Sequence, residues 1–288
     1  MLDIRFNRNG RDRMSSLFGL IGERLEHSFS PIIHSIIFKE INLEGYYHLF
    51  EVDRQDLKRA VLGLNALGAR GVNVTIPYKV EIMKYVHDIS HEAEKIGAIN
   101  TLSFKENNIL GYNTDYFGFG IMLDKFKVDV KNREAVILGT GGAAKSVLQY
   151  LLDNNIRDVT IVSRDINAKR AKFLDYRVIS YDDIKRIGQQ DIIINITPCG
   201  MYPKTNNSPV NGEDISKFNT AIDLIYNPME TLFLKHAKSY GLKALNGLYM
   251  LVGQAIKAQE LWNDVEINGE IIDSIYSRTL QNIKKIVG

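Results

Sequence analysis

Glu134-Ala135-Val136-Ile137-Leu138, followed by Gly139-Thr140-Gly141-Gly142-Ala143-Ala144 and then Lys145-Ser146-Val147-Leu148-Gln149-Tyr150-Leu151-Leu152, sets the architecture of this chain. Glu134 to Leu138 reads as a buried strand, and the pattern from about Ala143 to Leu152 as a helix. Between them, Gly139 permits a tight turn and Gly141 lets backbone come close to a pyrophosphate. Ala144 stands where close helix–strand packing needs a small residue. The helix start presents unpaired N–H groups and a partial positive charge to an anion. A glycine turn that merely joins two elements is the competing reading. The strand before it and the helix after it favour dinucleotide binding.

The same rhythm continues downstream. Val159–Val162, Asp191–Asn195 and Ala221–Leu224 read as further strands with helical or loop segments between them, which makes a doubly wound nucleotide-binding domain. Val162-Ser163-Arg164-Asp165 closes its second strand with a mixed signal. Arg164 can grip a phosphate or stack on adenine, whereas Asp165 would repel phosphate if it pointed inward. A solvated Arg-Asp turn is the alternative. Upstream, Leu17–Ile21 reads as a strand closed by Gly22. Ser30-Pro31 opens a helix with Ser30 as its N-cap and Ile32, Ile33, Ile36 and Ile37 as its apolar face. Tyr46–Val52 alternates as a strand, Gln55–Leu67 reads as helix and Gly71–Thr75 as strand, which predicts a mostly parallel sheet covered by helices. Beyond Gly247 the chain turns helical to its end. The expected divisions are a substrate-binding catalytic domain over 17–113, completed by helices in 248–288, and a nucleotide-binding domain over 114–247.

Bulk properties narrow the class. At 288 residues, 45% hydrophobic and 24% charged, the chain can bury substantial cores. A net charge of +2 without long like-charge runs calls for neither nucleic acid nor an acidic membrane. No apolar run reaches the ~18–20 residues of a membrane span. One cysteine, Cys199, leaves no intrachain disulfide and suits a reducing cytoplasm. Cys199 has no obvious histidine partner for nucleophilic work, and His27 and His34 lack metal-ligand company, so both read as structural and no metal is expected. Residues 1–16, with Arg5, Arg8, Arg11 and Arg13, form an expected flexible leader.

The chemistry points to Asn73-Val74-Thr75-Ile76-Pro77-Tyr78-Lys79. A strand running into a proline-braced turn would deliver Lys79 to the carboxyl edge of a sheet, where open α/β sheets bind ligands. Asp115, in Gly111-Tyr112-Asn113-Thr114-Asp115, could supply its partner, and a Lys–Asp pair can hold and transfer the proton that ketone reduction needs. Residue chemistry alone does not place the two together, and most lysines are solvated surface charges. Ser28, Ser30, Asn100 and Gln254 can hold a polyhydroxylated ligand, although each has an ordinary explanation as cap, turn or helix residue.

In order along the chain, these segments resemble the shikimate dehydrogenase family over nearly all of Gly19 to Trp262. The motifs are His27-Ser28-Phe29-Ser30-Pro31, Asn73 through Lys79, Gly97-Ala98-Ile99-Asn100-Thr101, Gly111 through Asp115, Gly139 through Ala144, Asn195 through Met201, Asp223 through Pro228 and Gly247 through Ala255. The resemblance implies an N-terminal α/β substrate domain plus a Rossmann domain, with the active site in the interdomain cleft. It implies Lys79 as general acid-base group with Asp115. Ser28 and Ser30 would bind the substrate carboxylate, with Thr75, Asn100, Tyr226 and Gln254 completing the pocket. Gly139, Gly141, Gly142 and Ala143 would cradle the pyrophosphate, and Ser163 and Arg164 would meet the adenosine phosphate. Thr197, Gly247 and Met250 would line the nicotinamide pocket. The implied reaction is NADPH-dependent reduction of 3-dehydroshikimate to shikimate, in aromatic amino-acid biosynthesis in the cytoplasm, with a homodimer left open. One departure counts: NADP-specific members usually carry Asn-Arg-Thr or Asn-Arg-Ser followed by a further basic residue. Ser163-Arg164-Asp165 replaces it here and Lys169 falls about one place late, so NAD stays open as a weaker cofactor. The rival readings are a quinate-active enzyme of the same fold and a catalytically silent sensor of the ring acid.

Overall fold

In a computed structural model of the chain, residues 16–26, 28–105, 108–166, 173 and 175–287 are described. The leader through residue 15, His27 and Lys169 therefore lie outside the described residues; Ser16 already belongs to the first strand. The chain divides into two compact units, one running up to Thr114 and resuming at Val252–Asn282, the other comprising Asp115–Leu251 and the last residues from Ile283.

The first unit is built on a six-stranded sheet. Its strands are β1 (Ser16–Gly22), β2 (Gly45–Glu51), β3 (Gly71–Val74), β4 (Asp88–Ile89), β5 (Thr101–Lys105) and β6 (Asn108–Tyr112), in the order β2-β1-β3-β5-β6-β4. β1 pairs parallel with β2 and β3, but β5 runs antiparallel to both β3 and β6. The sheet is thus mixed where a mostly parallel one was expected. Only two residues separate β5 from β6, too few for the crossover that parallel neighbours require. Helices α1 (Ser30–Glu40), α2 (Leu57–Ala66) and α3 (His91–Ile96) follow their strands. α1 buries Ile33, Ile36 and Ile37, and α2 buries Leu57, Val61 and Leu64, each set at the three- and four-residue spacing of one helical face. Ser30 is the first helical residue and not the cap. Phe29 occupies the cap position, and the Ser28 hydroxyl accepts the Ser30 N–H at 3.3 Å.

The second unit carries β7 (Glu134–Leu138), β8 (Asp158–Val162), β9 (Arg177–Ile179), β10 (Ile192–Asn195), β11 (Thr220–Asp223) and β12 (Lys243–Asn246), all parallel, in the order β12-β11-β10-β7-β8-β9. Counted from β7, that is the doubly wound order whose direction reverses beside the first strand, the crevice where such sheets bind ligands. The remaining described helices are α4 (Thr114–Lys125), α5 (Ala144–Asp153), α6 (Gly212–Ile215), α7 (Leu232–Ser239), α8 (Leu248–Asn263) and α9 (Gly269–Val287). α5 buries Ala144, Val147, Leu148 and Leu151 against the sheet. Among the described residues no helix is long and apolar enough to cross a membrane, and no cluster of three or more His, Cys, Asp or Glu side chains could hold a metal.

Candidate active-site elements

In the second unit, β7 ends at Leu138 and the chain turns at Gly139 with φ of +103°. A Cβ there would also stand 2.6 Å from Thr197 Cγ2, so two independent constraints demand glycine. Gly141 differs: an added Cβ would meet only the Ile196 carbonyl oxygen, at an ordinary 3.8 Å. Nothing in the protein itself requires glycine at 141, whereas a ligand lying against the backbone would. No side chain caps α5 at its Ala143 N-cap. Gly139, Thr140 and Gly141 line a groove of about 840 Å³ with Ser163, Arg164 and Thr197. A pyrophosphate-containing dinucleotide fits this cradle in shape and charge.

At the far strand end, the buried Ser163 hydroxyl accepts the Asp165 N–H at 3.2 Å and lies 3.1 Å from the Asp165 carbonyl oxygen it donates to. This local turn sets Arg164 and Asp165 on the groove, both exposed. Lys204, forty residues on, lines the same groove, and no local sequence signal marks it. Thr197 is held by Asn195, whose Oδ1 accepts the Thr197 hydroxyl at 2.7 Å and its N–H at 3.0 Å. Asn195 in turn donates to Asp223 at 3.0 Å. Asp223 is fully buried, and burial raises its carboxyl to about 6 despite bonds from Thr231, the Ile225 N–H and Asn195. Sequence reading noted Asp223 only within a motif; its network is a product of the fold. Gly247 cannot carry a side chain, because a Cβ would fall 2.1 Å from the Leu224 carbonyl oxygen. Met250 is buried on α8, and Tyr226 is half-buried with its phenol pushed up by that burial.

In the first unit, β3 delivers Asn73 and Thr75 to the strand end. The Thr75 N–H donates to the Ile21 carbonyl, and Tyr78 is buried with its hydroxyl donating to the Val52 carbonyl. That anchored turn carries Lys79, half-buried, whose own carbonyl accepts the Ile99 N–H at 2.7 Å. Asn100 is buried, and its Oδ1 accepts the Thr114 N–H at 2.6 Å and bonds from the Thr101 and Thr114 hydroxyls. A backbone N–H can only donate, so that atom is the oxygen, and the amide nitrogen is what Asn100 has to offer a ligand. Ser28 and Ser30 sit together at the start of α1, both half-buried. Gln254 is buried on α8. Lys79 belongs to the first unit and Asp115 opens the second. His34 is buried and stacked on Tyr47.

Against known proteins, residues 20–102 match the family model described as shikimate dehydrogenase substrate binding domain, and residues 121–208 the one described as shikimate / quinate 5-dehydrogenase. The chain is 48% identical over 262 residues to a shikimate dehydrogenase (NADP(+)) of Clostridium perfringens, covering 90% of this chain and 97% of that protein. Among solved structures, a chorismate mutase/shikimate 5-dehydrogenase fusion protein from Clostridium acetobutylicum superposes with a TM-score of 0.92 at 50% identity, covering 94% of this chain and 99% of that one. A shikimate dehydrogenase in complex with NADP+ superposes with a TM-score of 0.84 at 38% identity, covering 93% and 96%.

Proposed function

The chain belongs to the shikimate dehydrogenase family, and from that premise we propose that it catalyses the reversible NADPH-dependent reduction of 3-dehydroshikimate to shikimate. The observation that carries the reading is Gly141, a glycine that the folded chain does not need and a dinucleotide backbone would. The substrate role goes to 17–113 with 248–288 and the cofactor role to 114–247. Bound NADPH supplies the hydride, and NADP+ accepts it in the reverse direction.

The chain's own residues do the rest. Lys79, with Asp115 as its partner, gives a proton to the carbonyl oxygen borne on the ring as the ketone becomes an alcohol and takes one back in reverse. Ser28 and Ser30 bind the carboxylate. Thr75, Tyr226, Gln254 and the fixed amide of Asn100 hold the hydroxyls, where unpaired polar groups would penalise a ligand lacking them. Gly139 makes the turn of the cradle, its own N–H spent on the Val162 carbonyl, and Gly141, Gly142 and Ala143 bring backbone N–H groups to the pyrophosphate. Ser163 positions Arg164 at the adenosine phosphate, and Thr197, Gly247 and Met250 border the nicotinamide. We place this chemistry in the cytoplasm, in aromatic amino-acid biosynthesis, where the Cys199 thiol would stay reduced.

The test is oxidation of shikimate and of quinate with NADP+ and with NAD+. We expect turnover of shikimate with NADP+ preferred. Faster turnover of quinate would move the assignment to the quinate branch. Tight shikimate binding without turnover would make the chain a sensor.

A further inference from the structure

Ser30 and His34 lie one turn apart on the same face of α1, and Tyr47 of β2 lies along that face. Its ring stacks on the His34 imidazole with centroids 3.9 Å apart and planes 9° from parallel. Its hydroxyl reaches the Ser30 side chain and donates to Asn73 Oδ1 at 2.8 Å. The Asn73 amide is oriented beyond doubt, since Nδ2 donates to the Asn100 carbonyl and to Thr101 Oγ1 at 3.0 Å. Asn73 Oδ1 can therefore only accept, and Tyr47 spends its single proton there. Toward Ser30 the tyrosine offers lone pairs only, so Ser30 must turn its own proton inward. In that state Ser30 faces a ligand with lone pairs, the wrong polarity for a carboxylate.

A second observation resolves the conflict. Asn263 Nδ2 donates to the Gln259 carbonyl and to Gln259 Oε1, so Gln259 Nε2 is the donor to His34 Nδ1 at 2.7 Å. The neutral imidazole, kept so by burial that pulls it down to about 3, then carries its proton on Nε2. That buried N–H has no hydrogen-bond partner as it stands, yet it faces Asn73. An orphaned buried donor beside an acceptor already in use is a donor in reserve.

We propose that Tyr47 is a positioning residue whose hydroxyl proton swings from Asn73 to Ser30 when an anion arrives, so that Ser30 can donate outward while His34 Nε2–H takes over at Asn73. The proposal rests on the reading of Ser30 as a carboxylate ligand. No charge moves; two hydroxyl rotors turn, and the His34 Nε2–H, unpartnered in the resting state, gains an acceptor in the anion-bound one.

Tyr47→Phe keeps the ring on His34 and removes the rotor. It should raise the shikimate KM ~5-fold, about the worth of one net hydrogen bond, with kcat and the NADP KM within twofold. In a Ser30→Ala background the same change should do nothing further. The effect should be equal at pH 6.5 and pH 9, because His34 titrates far below and burial pushes the Tyr47 phenol far above that range. An unchanged KM, or the same ~5-fold rise in the Ser30→Ala background, overturns the proposal. Ser30→Ala with a wild-type KM overturns the carboxylate assignment, and this proposal with it. Should Tyr47→Phe fail to fold, His34→Phe keeps the stack and removes the reserve donor. It must then raise the KM in wild type but not in Ser30→Ala, or the proposal falls.

Discussion

Gly139 and Gly141 are two residues apart, yet alanine should fail at each for an opposite reason. At Gly139, a φ of +103° costs a non-glycine residue ~1–3 kcal/mol. The new methyl would lie 2.6 Å from Thr197 Cγ2, and Thr197 is tied through its hydroxyl and N–H to Asn195 and cannot swing aside freely. Overpacking of this kind adds ~1–3 kcal/mol, for a total of roughly 2–6 kcal/mol. At ~2–4 °C per kcal/mol, Gly139→Ala should melt about 4–24 °C early. At Gly141 the methyl meets one carbonyl oxygen at 3.8 Å, so Gly141→Ala should melt within ~2 °C of wild type or slightly above it. Its methyl would nonetheless stand where the pyrophosphate approaches, raising the NADP KM ~10-fold or more and abolishing the thermal shift that NADP produces in wild type. The assay is a melt of each variant with and without saturating NADP, alongside steady-state kinetics. A Gly141→Ala enzyme with wild-type NADP KM and full ligand-induced stabilisation would refute the cradle.

Lys79→Ala should lower kcat by ~10²–10⁴-fold with a far smaller change in shikimate affinity, and Asp115→Asn should add less in that background than alone; turnover within a few-fold of wild type removes Lys79 from the chemistry. Arg164→Ala should reduce kcat/KM with NADP more than with NAD, and Asp165→Ser should improve NADP use; equal penalties on both cofactors from Arg164→Ala would show that this turn does not meet the phosphate. Asp223 makes a pH prediction. Its folded carboxyl is raised to about 6, above the ~3.9 of an unfolded chain, so between those values the native state holds the extra proton. Its contribution to stability is therefore present at low pH and lost as pH rises through about 6, by ~3 kcal/mol at most. Wild-type stability measured against Asp223→Asn in denaturant should fall from pH 4.5 to pH 7 and stay level above; a difference that grows with pH contradicts the assignment.

Where one local pattern decides an element, the reading of the sequence stands. β7 was expected at Glu134–Leu138 and is found there, and α5 begins and ends one residue later than its pattern suggested. Several strands went unread. β4 is two residues and β9 three, too short for alternation to register, and they are strands only because β6 and β8 offer them a partner; β5, β6 and β12, of four or five residues, were not read as strands either. Ser30 looked like a cap because serine before proline usually is one, but Ser28 supplied the acceptor first. At the site, residue type identified Lys79, Asn100 and Gly141 as candidates. It could not reveal that Thr114 orients Asn100, that Lys204 shares a groove with Arg164, or that His34, read as merely structural, holds a donor unspent. Those facts depend on residues 14 to 40 positions apart or on different elements altogether.

The first unit is completed by a segment that begins at Val252. Trp262 of α8 stacks on Phe18 at 5.1 Å and closes a cluster with Phe38 and Ala258, while its indole N–H donates to the Leu102 carbonyl at 2.8 Å. On the ribosome, Phe18 and Phe38 emerge early and Trp262 only after the whole nucleotide-binding unit has been made. At ~5–20 residues per second, the N-terminal sheet waits on the order of ten to thirty seconds for its last aromatic neighbour. Asp115–Leu251, the bulk of the later-made unit, is continuous in sequence and can close before that neighbour arrives. Completion of the N-terminal unit thus waits on the last part of the chain to be made, and a message cut short before codon 252 would leave the earlier half of the protein with its aromatic face bare.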